Sequence, residues 1–122
     1  MMKYIPQSND LTCGQACVAM LANSSIEEAI NKMGKDGSTD PIDIINGLRA
    51  FGIKCDDEFV KITQENPSYP PVCVLLVWFP TYGHWVVHYN GKFYDPEFGL
   101  LDQCVQHGRI GSYLSVYLDE RN

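Results

Sequence analysis

The segment that most constrains the fold is "HWVVHYNGKFYDP", residues 84–96. Asn90-Gly91 lies between two apolar-rich runs, and this dipeptide is typical of a two-residue type I′ hairpin turn, in which both central residues need positive φ. A loop of that length fixes the register, because it pairs Tyr89 with Lys92 and each earlier residue with a later one. The segment therefore predicts an antiparallel hairpin whose cross-strand neighbours follow from the sequence.

This register places four side chains on one face of the hairpin: His84, Val86, His88 and Asp95. Directly opposed residues share a face, and side chains alternate along a strand. Asp95 is opposite Val86 and diagonal to both histidines, roughly 7–8 Å away at the backbone. We expect a carboxylate–imidazole hydrogen bond here. The pairing does not choose between the histidines, but we favour His84, because it follows Gly83 at the open end of the hairpin.

The first half of the chain is predicted to be helical. The predicted helices begin after Thr12, Ser25 and Asp40, and the second and third end at Gly34 and Gly52. Thr12 and Gln15 have the spacing of a capping box, in which each side chain binds the other residue's backbone N–H. Pro41 at the first position supports the third helix.

The second half is predicted to form strands. Residues 72–79, "VCVLLVWF", are apolar on both faces, which is typical of a central strand. Residues 113–119 alternate and predict a final strand. Helices followed by an antiparallel sheet indicate an α+β fold, and the length of 122 residues suits a single domain, 1–122.

The charge and the apolar pattern argue against several classes of protein. The net charge is −6, from 9 basic and 15 acidic residues, whereas nucleic-acid backbones and anionic membranes attract clustered Lys and Arg. No apolar run approaches the ~20 residues of a membrane helix. The N-terminus has no apolar region typical of a signal peptide. We therefore expect no nucleic-acid partner, no membrane insertion and a cytoplasmic location, although secretion by another route would leave no such signal.

The cysteines do not form a disulfide pattern. Five are present, at positions 13, 17, 55, 73 and 104, and an odd number with irregular spacing favours a reducing compartment. Cys13 and Cys17 could supply two metal ligands, with His84 or His88 adding others, but the remaining cysteines are scattered. We therefore rank a metal site below a nucleophile and predict no cofactor.

Cys13 is the candidate nucleophile. In "LTCGQACVAML" it occupies the first helical position, where unpaired N–H groups and the helix dipole stabilise a thiolate. Gly14 is expected to leave space beside the sulfur. Cys17, one turn later, fits a buried core position, and His107 in "QHGRIG" is expected to be solvated.

Combined with the hairpin, Cys13 completes a nucleophile–base–acid arrangement. Such chemistry also requires an oxyanion hole. The Cys13 backbone N–H is one candidate donor, and Gln7, six residues earlier, could supply a side-chain amide. A glutamine in a polar loop is by itself no evidence for a catalytic role, because polar side chains there also serve solubility.

Three segments in series, "IPQSNDLTCGQACVAML", "GSTDPIDIINGLRAFGI" and "GHWVVHYNGKFYDPEFG", extend from residue 5 to residue 99. Together they resemble the papain-like cysteine peptidases of the double-glycine, bacteriocin-leader-processing type and their stand-alone relatives. The resemblance implies that Cys13 is the nucleophile, His84 the base, Asp95 the orienting acid and Gln7 an oxyanion donor. It also implies a papain-like fold, with the cysteine helix packed on an antiparallel sheet and the site in the cleft between them.

The expected function is a cysteine-dependent hydrolase that cleaves a peptide or isopeptide bond in a protein or peptide substrate. The same triad also serves deamidases, acyltransferases and effector toxins, because a fold does not decide the reaction. A catalytically silent binding module and a zinc or redox protein are further alternatives. Whether an inhibitor or immunity protein also binds is left open by the sequence.

Overall fold

The computed structural model describes residues 2–118, which form three helices and seven strands. The helices are α1 (Cys13–Ala22), α2 (Ile26–Met33) and α3 (Pro41–Ala50). The strands are β1 (Lys54–Cys55), β2 (Val60–Lys61), β3 (Val72–Trp78), β4 (Gly83–Tyr89), β5 (Lys92–Asp95), β6 (Gly99–Leu101) and β7 (Arg109–Tyr117). The predicted α+β class is confirmed. Within the described residues, no helix has the length and apolar character needed to cross a membrane.

The strands form one antiparallel sheet in the order β1-β7-β3-β4-β5-β6, and β2 also pairs with β7. The predicted central strand is confirmed, because β3 lies between β7 and β4. The predicted last strand is also present but begins earlier, at Arg109, and residue 119 lies outside the described residues.

The Asn90-Gly91 hairpin has the predicted turn and register. Both residues have positive φ, 49° and 90°. Tyr89 pairs with Lys92, and the two preceding pairs follow in step as far as Val87 with Tyr94. The fourth expected pair, Val86 with Asp95, is not part of this ladder, although Asp95 still pairs with Gly99 of β6 on its other side. The hairpin therefore opens beyond Val87. The first half of β4 stays paired with β3, and its edge towards β5 can border a cleft.

Helix α1 is buried on all sides rather than along one stripe. Every residue from Gly14 to Leu21 is buried, because α1 packs on β4 on one side and on α2 and α3 on the other. A helix that is apolar all round is typical of such a central position. The first residue, Cys13, is half-buried at the end of this core.

The predicted capping box of α1 is wrong. Thr12 is the N-cap residue, but its Oγ1 accepts from the backbone N–H groups of Ser8 and Asn9, at 2.9 and 3.2 Å, and not from the helix. The Gln15 side chain is fully buried and points to another loop. Thr12 therefore stabilises the loop that leads into α1. The other predicted helix ends are confirmed: Ser25 Oγ accepts from Glu28 N, and Gly34 and Gly52 have positive φ.

Candidate active site

A cavity of about 420 Å³ opens at the N-terminus of α1. Its walls come from the N-terminal loop and the start of α1, from the loop before α3, and from the open end of the hairpin with the turn after β5. The lining residues are Gln7, Asp10, Leu11, Cys13, Ser38, Thr39, Tyr82, Gly83, Trp85 and Glu97. Two of the four predicted site residues, Gln7 and Cys13, therefore border the same space.

Cys13 differs from the other cysteine of α1 in its access to this cavity. Its half-buried thiol lines the cavity from the first position of the helix. Cys17 is completely buried, and desolvation, followed by the nearby Cys13 and Asp95, raises its pKa well above the usual value. Cys73 is also completely buried, and desolvation raises its pKa to about 12. Both buried cysteines are therefore held as thiols, and Cys17 has the core position predicted for it.

His84 and Asp95 form a buried hydrogen bond across the hairpin. His84 Nε2 lies 2.6 Å from Asp95 Oδ1, and the two residues are 2% and 1% exposed. The same oxygen accepts from the backbone N–H groups of Glu97 and Phe98, at 2.9 and 3.1 Å. The Tyr4 hydroxyl donates to the Asp95 carbonyl oxygen at 2.6 Å. The carboxylate is thus fixed by its own turn and by the N-terminal segment, and the sequence prediction of this contact is confirmed.

Opposing effects act on the His84 imidazole. Burial lowers its pKa, but the hydrogen bond to Asp95 and the interaction with Cys13 outweigh burial and raise the pKa to about 9. The ring also packs near Phe79 and Phe98, with centroid distances of 5.8 and 6.2 Å. Since Nε2 is occupied by Asp95, the nitrogen left for the thiol is Nδ1.

His88 and His107 lie outside the cavity lining. His88 pairs with Cys73 on β3 and packs against Tyr69 and Phe93, each at a centroid distance of 5.0 Å. Its Nδ1 is buried and has no hydrogen-bond partner in the described part of the chain, and desolvation lowers the pKa of His88. His107 is exposed in the loop between β6 and β7, as predicted. His84 and Asp95 are also outside the lining, but His84 binds Asp95 and interacts with Cys13, and the preference for His84 over His88 is consistent with these contacts.

Gln7 is joined to the turn that follows Asp95. Its backbone N–H donates to the Pro96 carbonyl at 3.1 Å, which links the N-terminal loop to the hairpin. Its side-chain Oε1 is buried and has no hydrogen-bond partner within residues 2–118. Because the side chain lines the cavity, the amide nitrogen is the end available to a ligand.

The expectation for Gly14 is wrong. A Cβ atom at this position would lie 2.1 Å from Thr39 Oγ1 and 2.9 Å from Ile44 Cδ1. The space beside Gly14 is therefore filled by Thr39 and not open to a substrate. The glycine allows the loop before α3 to approach the start of α1 closely, and this approach forms one wall of the cavity.

The sequence reasoning missed what holds that wall. The Gln15 amide donates to the carbonyl oxygens of Lys35 and Gly37, at 2.8 and 2.9 Å. Trp85 Nε1 donates to the Thr39 carbonyl at 3.3 Å. The loop is thus bound both to α1 and to β4. The capping-box interpretation of Gln15 concealed this role. A polar side chain on an otherwise apolar helix was the sequence feature that could have indicated it.

Glu97 is a second carboxylate that the sequence reasoning missed. Its Oε1 lies 4.0 Å from His84 Nδ1 and accepts from the Tyr82 hydroxyl at 3.3 Å. The Asp-Pro turn brings it back over the hairpin, so its position two residues after Asp95 was the available signal. Among residues 2–118, no group of three or more His, Cys, Asp or Glu side chains is placed to hold a metal ion.

In comparisons with known proteins, no family model and no curated protein matches this chain. The papain-like resemblance therefore stays a prediction from the sequence, and the function has to be argued from the geometry of the cavity.

Proposed function

We propose that this protein is a cysteine-dependent hydrolase of papain-like fold that cleaves an amide bond in a peptide or protein. The observation that carries the proposal is the buried 2.6 Å His84–Asp95 hydrogen bond beside a cavity-lining cysteine at a helix start. A nucleophile, a base and an orienting acid in this relation are the parts of acyl transfer through a covalent intermediate.

The two nitrogens of His84 have different roles in the proposed mechanism. Asp95 accepts from Nε2 and keeps the ring in one orientation, so Nδ1 takes the proton of Cys13. The thiolate then attacks the substrate carbonyl carbon, and the carbonyl oxygen becomes an oxyanion. The Cys13 backbone N–H and the Gln7 amide are the proposed donors to that oxygen.

Breakdown of this intermediate uses the same proton. The C–N bond breaks, the His84 imidazolium gives its Nδ1 proton to the leaving amine, and the acyl group stays on Cys13 as a thioester. Neutral His84 then removes a proton from a water molecule that attacks the thioester, which releases the acid and restores the Cys13 thiolate beside the His84 imidazolium. A pKa of about 9 for His84 means that the imidazolium persists at neutral pH in the resting state.

The test is incubation of the protein with a peptide mixture made by digesting a cell lysate, followed by mass spectrometry. New peptide termini are expected with the wild type and with Cys55→Ala, whose thiol lies outside the cavity lining, but not with Cys13→Ala. A mass increase of about one dalton at glutamine, without cleavage, would identify a deamidase instead. Unchanged peptides would contradict the proposal and favour a binding module.

A further inference from the structure

Glu97 is held beside the nitrogen that transfers the proton. Its backbone N–H donates to Asp95 Oδ1 at 2.9 Å, so its main chain is joined to the acid of the triad. Its side chain accepts from Tyr82 and places Oε1 4.0 Å from His84 Nδ1. Glu97 therefore faces the imidazole on the side opposite Asp95, inside the cavity.

Within residues 2–118, no lysine or arginine balances the charge of this side chain, whose cationic neighbour is the His84 imidazolium. Among residues 2–118, Glu97 forms no ion pair with lysine or arginine, and its side chain is 35% exposed. Asp10 also lines the cavity, whose lining contains no Lys or Arg. Asp95 and Glu97 lie beside the two nitrogens of the His84 imidazolium, and Asp10 adds a third carboxylate to the site. The site keeps a negative potential, and a low-dielectric cleft of one sign attracts ligands of the opposite sign.

We propose that Glu97 selects substrates that carry Lys or Arg immediately after the scissile bond. This inference rests on the proposed function and adds a substrate class to it. In acyl transfer, Nδ1 protonates the leaving amine, so the first residue of the leaving fragment lies next to Nδ1. Glu97 Oε1 is 4.0 Å from that same atom, which puts its carboxylate within reach of this residue's side chain.

The expected preference is modest, because Glu97 is partly exposed. An ion pair of this kind corresponds to a preference of up to about fivefold in kcat/KM, or about 1 kcal/mol. It should decline as ionic strength rises, since salt screens exposed charges.

The experiment uses three internally quenched octapeptide mixtures, randomised except that the residue after the scissile bond is fixed as Lys, norleucine or Glu. Mass spectrometry identifies the cleaved bond, and kcat/KM is compared between mixtures. The enzymes are the wild type, Glu97→Gln, which still accepts from Tyr82, the charge reversal Glu97→Lys, and Asp10→Asn. Glu65→Gln is the matched control, because Glu65 is exposed and outside the cavity lining.

A Lys preference in the wild type and in Glu65→Gln, lost in Glu97→Gln and turned towards Glu in Glu97→Lys, supports the inference. Cleavage without charge preference overturns it and leaves the proposed function intact. A preference that survives Glu97→Gln, or one that Asp10→Asn removes instead, overturns it as well. If the wild type cleaves none of the mixtures, the proposed function is contradicted and the inference falls with it.

Discussion

His84 and His88 lie on the same face of β4, four residues apart, and both are buried, yet their protonation differs. The pKa of His84 is raised to about 9, whereas that of His88 is lowered. Desolvation lowers both values, so burial alone cannot explain the difference. What separates them is the neighbour: His84 binds a fixed carboxylate, and His88 packs against aromatic rings and Cys73.

The comparison shows how one strand holds two buried imidazoles, one bound to a carboxylate and one packed among aromatic rings. At the open end of the hairpin, the turn after β5 brings Asp95 and Glu97 to the His84 ring. Beside the closed end, the ladder places Phe93 opposite His88. The residues that the second strand and its following turn place beside each ring therefore determine the difference in pKa between the two histidines.

The largest expected difference is in catalysis. His84→Ala removes the proposed base and should lower kcat/KM by roughly 10⁴–10⁶-fold, as loss of one triad member does. His88→Ala should leave kcat/KM within a few-fold of the wild type at temperatures where it is folded. The measurement is cleavage of a peptide identified in the lysate digest, with thermal unfolding as the folding control. A strong loss in His88→Ala with little loss in His84→Ala would reverse the assignment.

Asp95→Asn tests whether the carboxylate is the cause of the difference. Without the negative acceptor, the pKa of His84 should fall from about 9 towards the ordinary value of 6.5, and that of His88 should not change. kcat is expected to fall by up to about 10⁴-fold. NMR titration of the imidazole signals measures both histidines in one sample. An unchanged His84 titration would show that Asp95 does not control this ring.

Gln7→Ala separates oxyanion binding from imidazole protonation. Loss of one oxyanion donor costs ~10²–10³-fold in kcat, and neither histidine should titrate differently, because the Gln7 side chain is proposed to act on the substrate oxygen. The melting temperature should change little. Gln7→Glu provides a matched variant that keeps the size but loses the amide donor. Unchanged kcat in both variants would remove Gln7 from the proposed site.

The smallest expected effect is on stability, where the two histidines act in opposite directions. The pKa of His88 is lower in the folded state than in the unfolded state. The contribution of His88 to the free energy of unfolding is therefore complete above the unfolded pKa of about 6.5 and declines as the pH falls below 6.5. The pKa of His84 is raised in the folded state. The contribution of His84 to the free energy of unfolding is therefore complete below about pH 6.5 and is lost as the pH rises through about 9.

Urea unfolding of the wild type and His88→Leu between pH 5 and pH 9 measures this effect. Each titrating histidine changes the free energy of unfolding by at most about 1.4 kcal/mol per pH unit. His88→Leu should flatten the acid side of the curve and leave the alkaline side unchanged. Equal slopes in both proteins below pH 6.5 would mean that His88 is not held neutral by the fold.

The hairpin was predictable from the sequence because its determinants are local. Asn90-Gly91 sets the register, and the register predicts that Asp95 contacts one of the two histidines on its face, which in the structure is His84. The helix ends at Ser25, Gly34 and Gly52 also follow from short-range chemistry. Local signals therefore predicted the three helices, the hairpin, the central and last strands and half of the candidate site, whereas the short strands β1, β2 and β6 were not predicted.

The remaining features depend on contacts between segments distant along the chain. The Gln15 side chain binds carbonyl groups twenty and more residues away, and Gly14 is required by the packing of Thr39. Neither partner can be named from spacing, because the tertiary fold brings the loop before α3 to the start of α1. The same local rule that predicts a capping box at Thr12 fails there, since Gln15 is used for the longer contact.

The attachment of this loop to α1 has a consequence for how the cleft tolerates change. Cys13 and Gln15 belong to the same helical turn, and Gln15 holds the loop that carries Ser38 and Thr39. A displacement of α1 would therefore carry Cys13, the proposed nucleophile, and the facing wall together, and the width between them would be preserved. Substitutions in the core beneath α1 should therefore shift the cleft relative to the sheet without changing the width of the cleft.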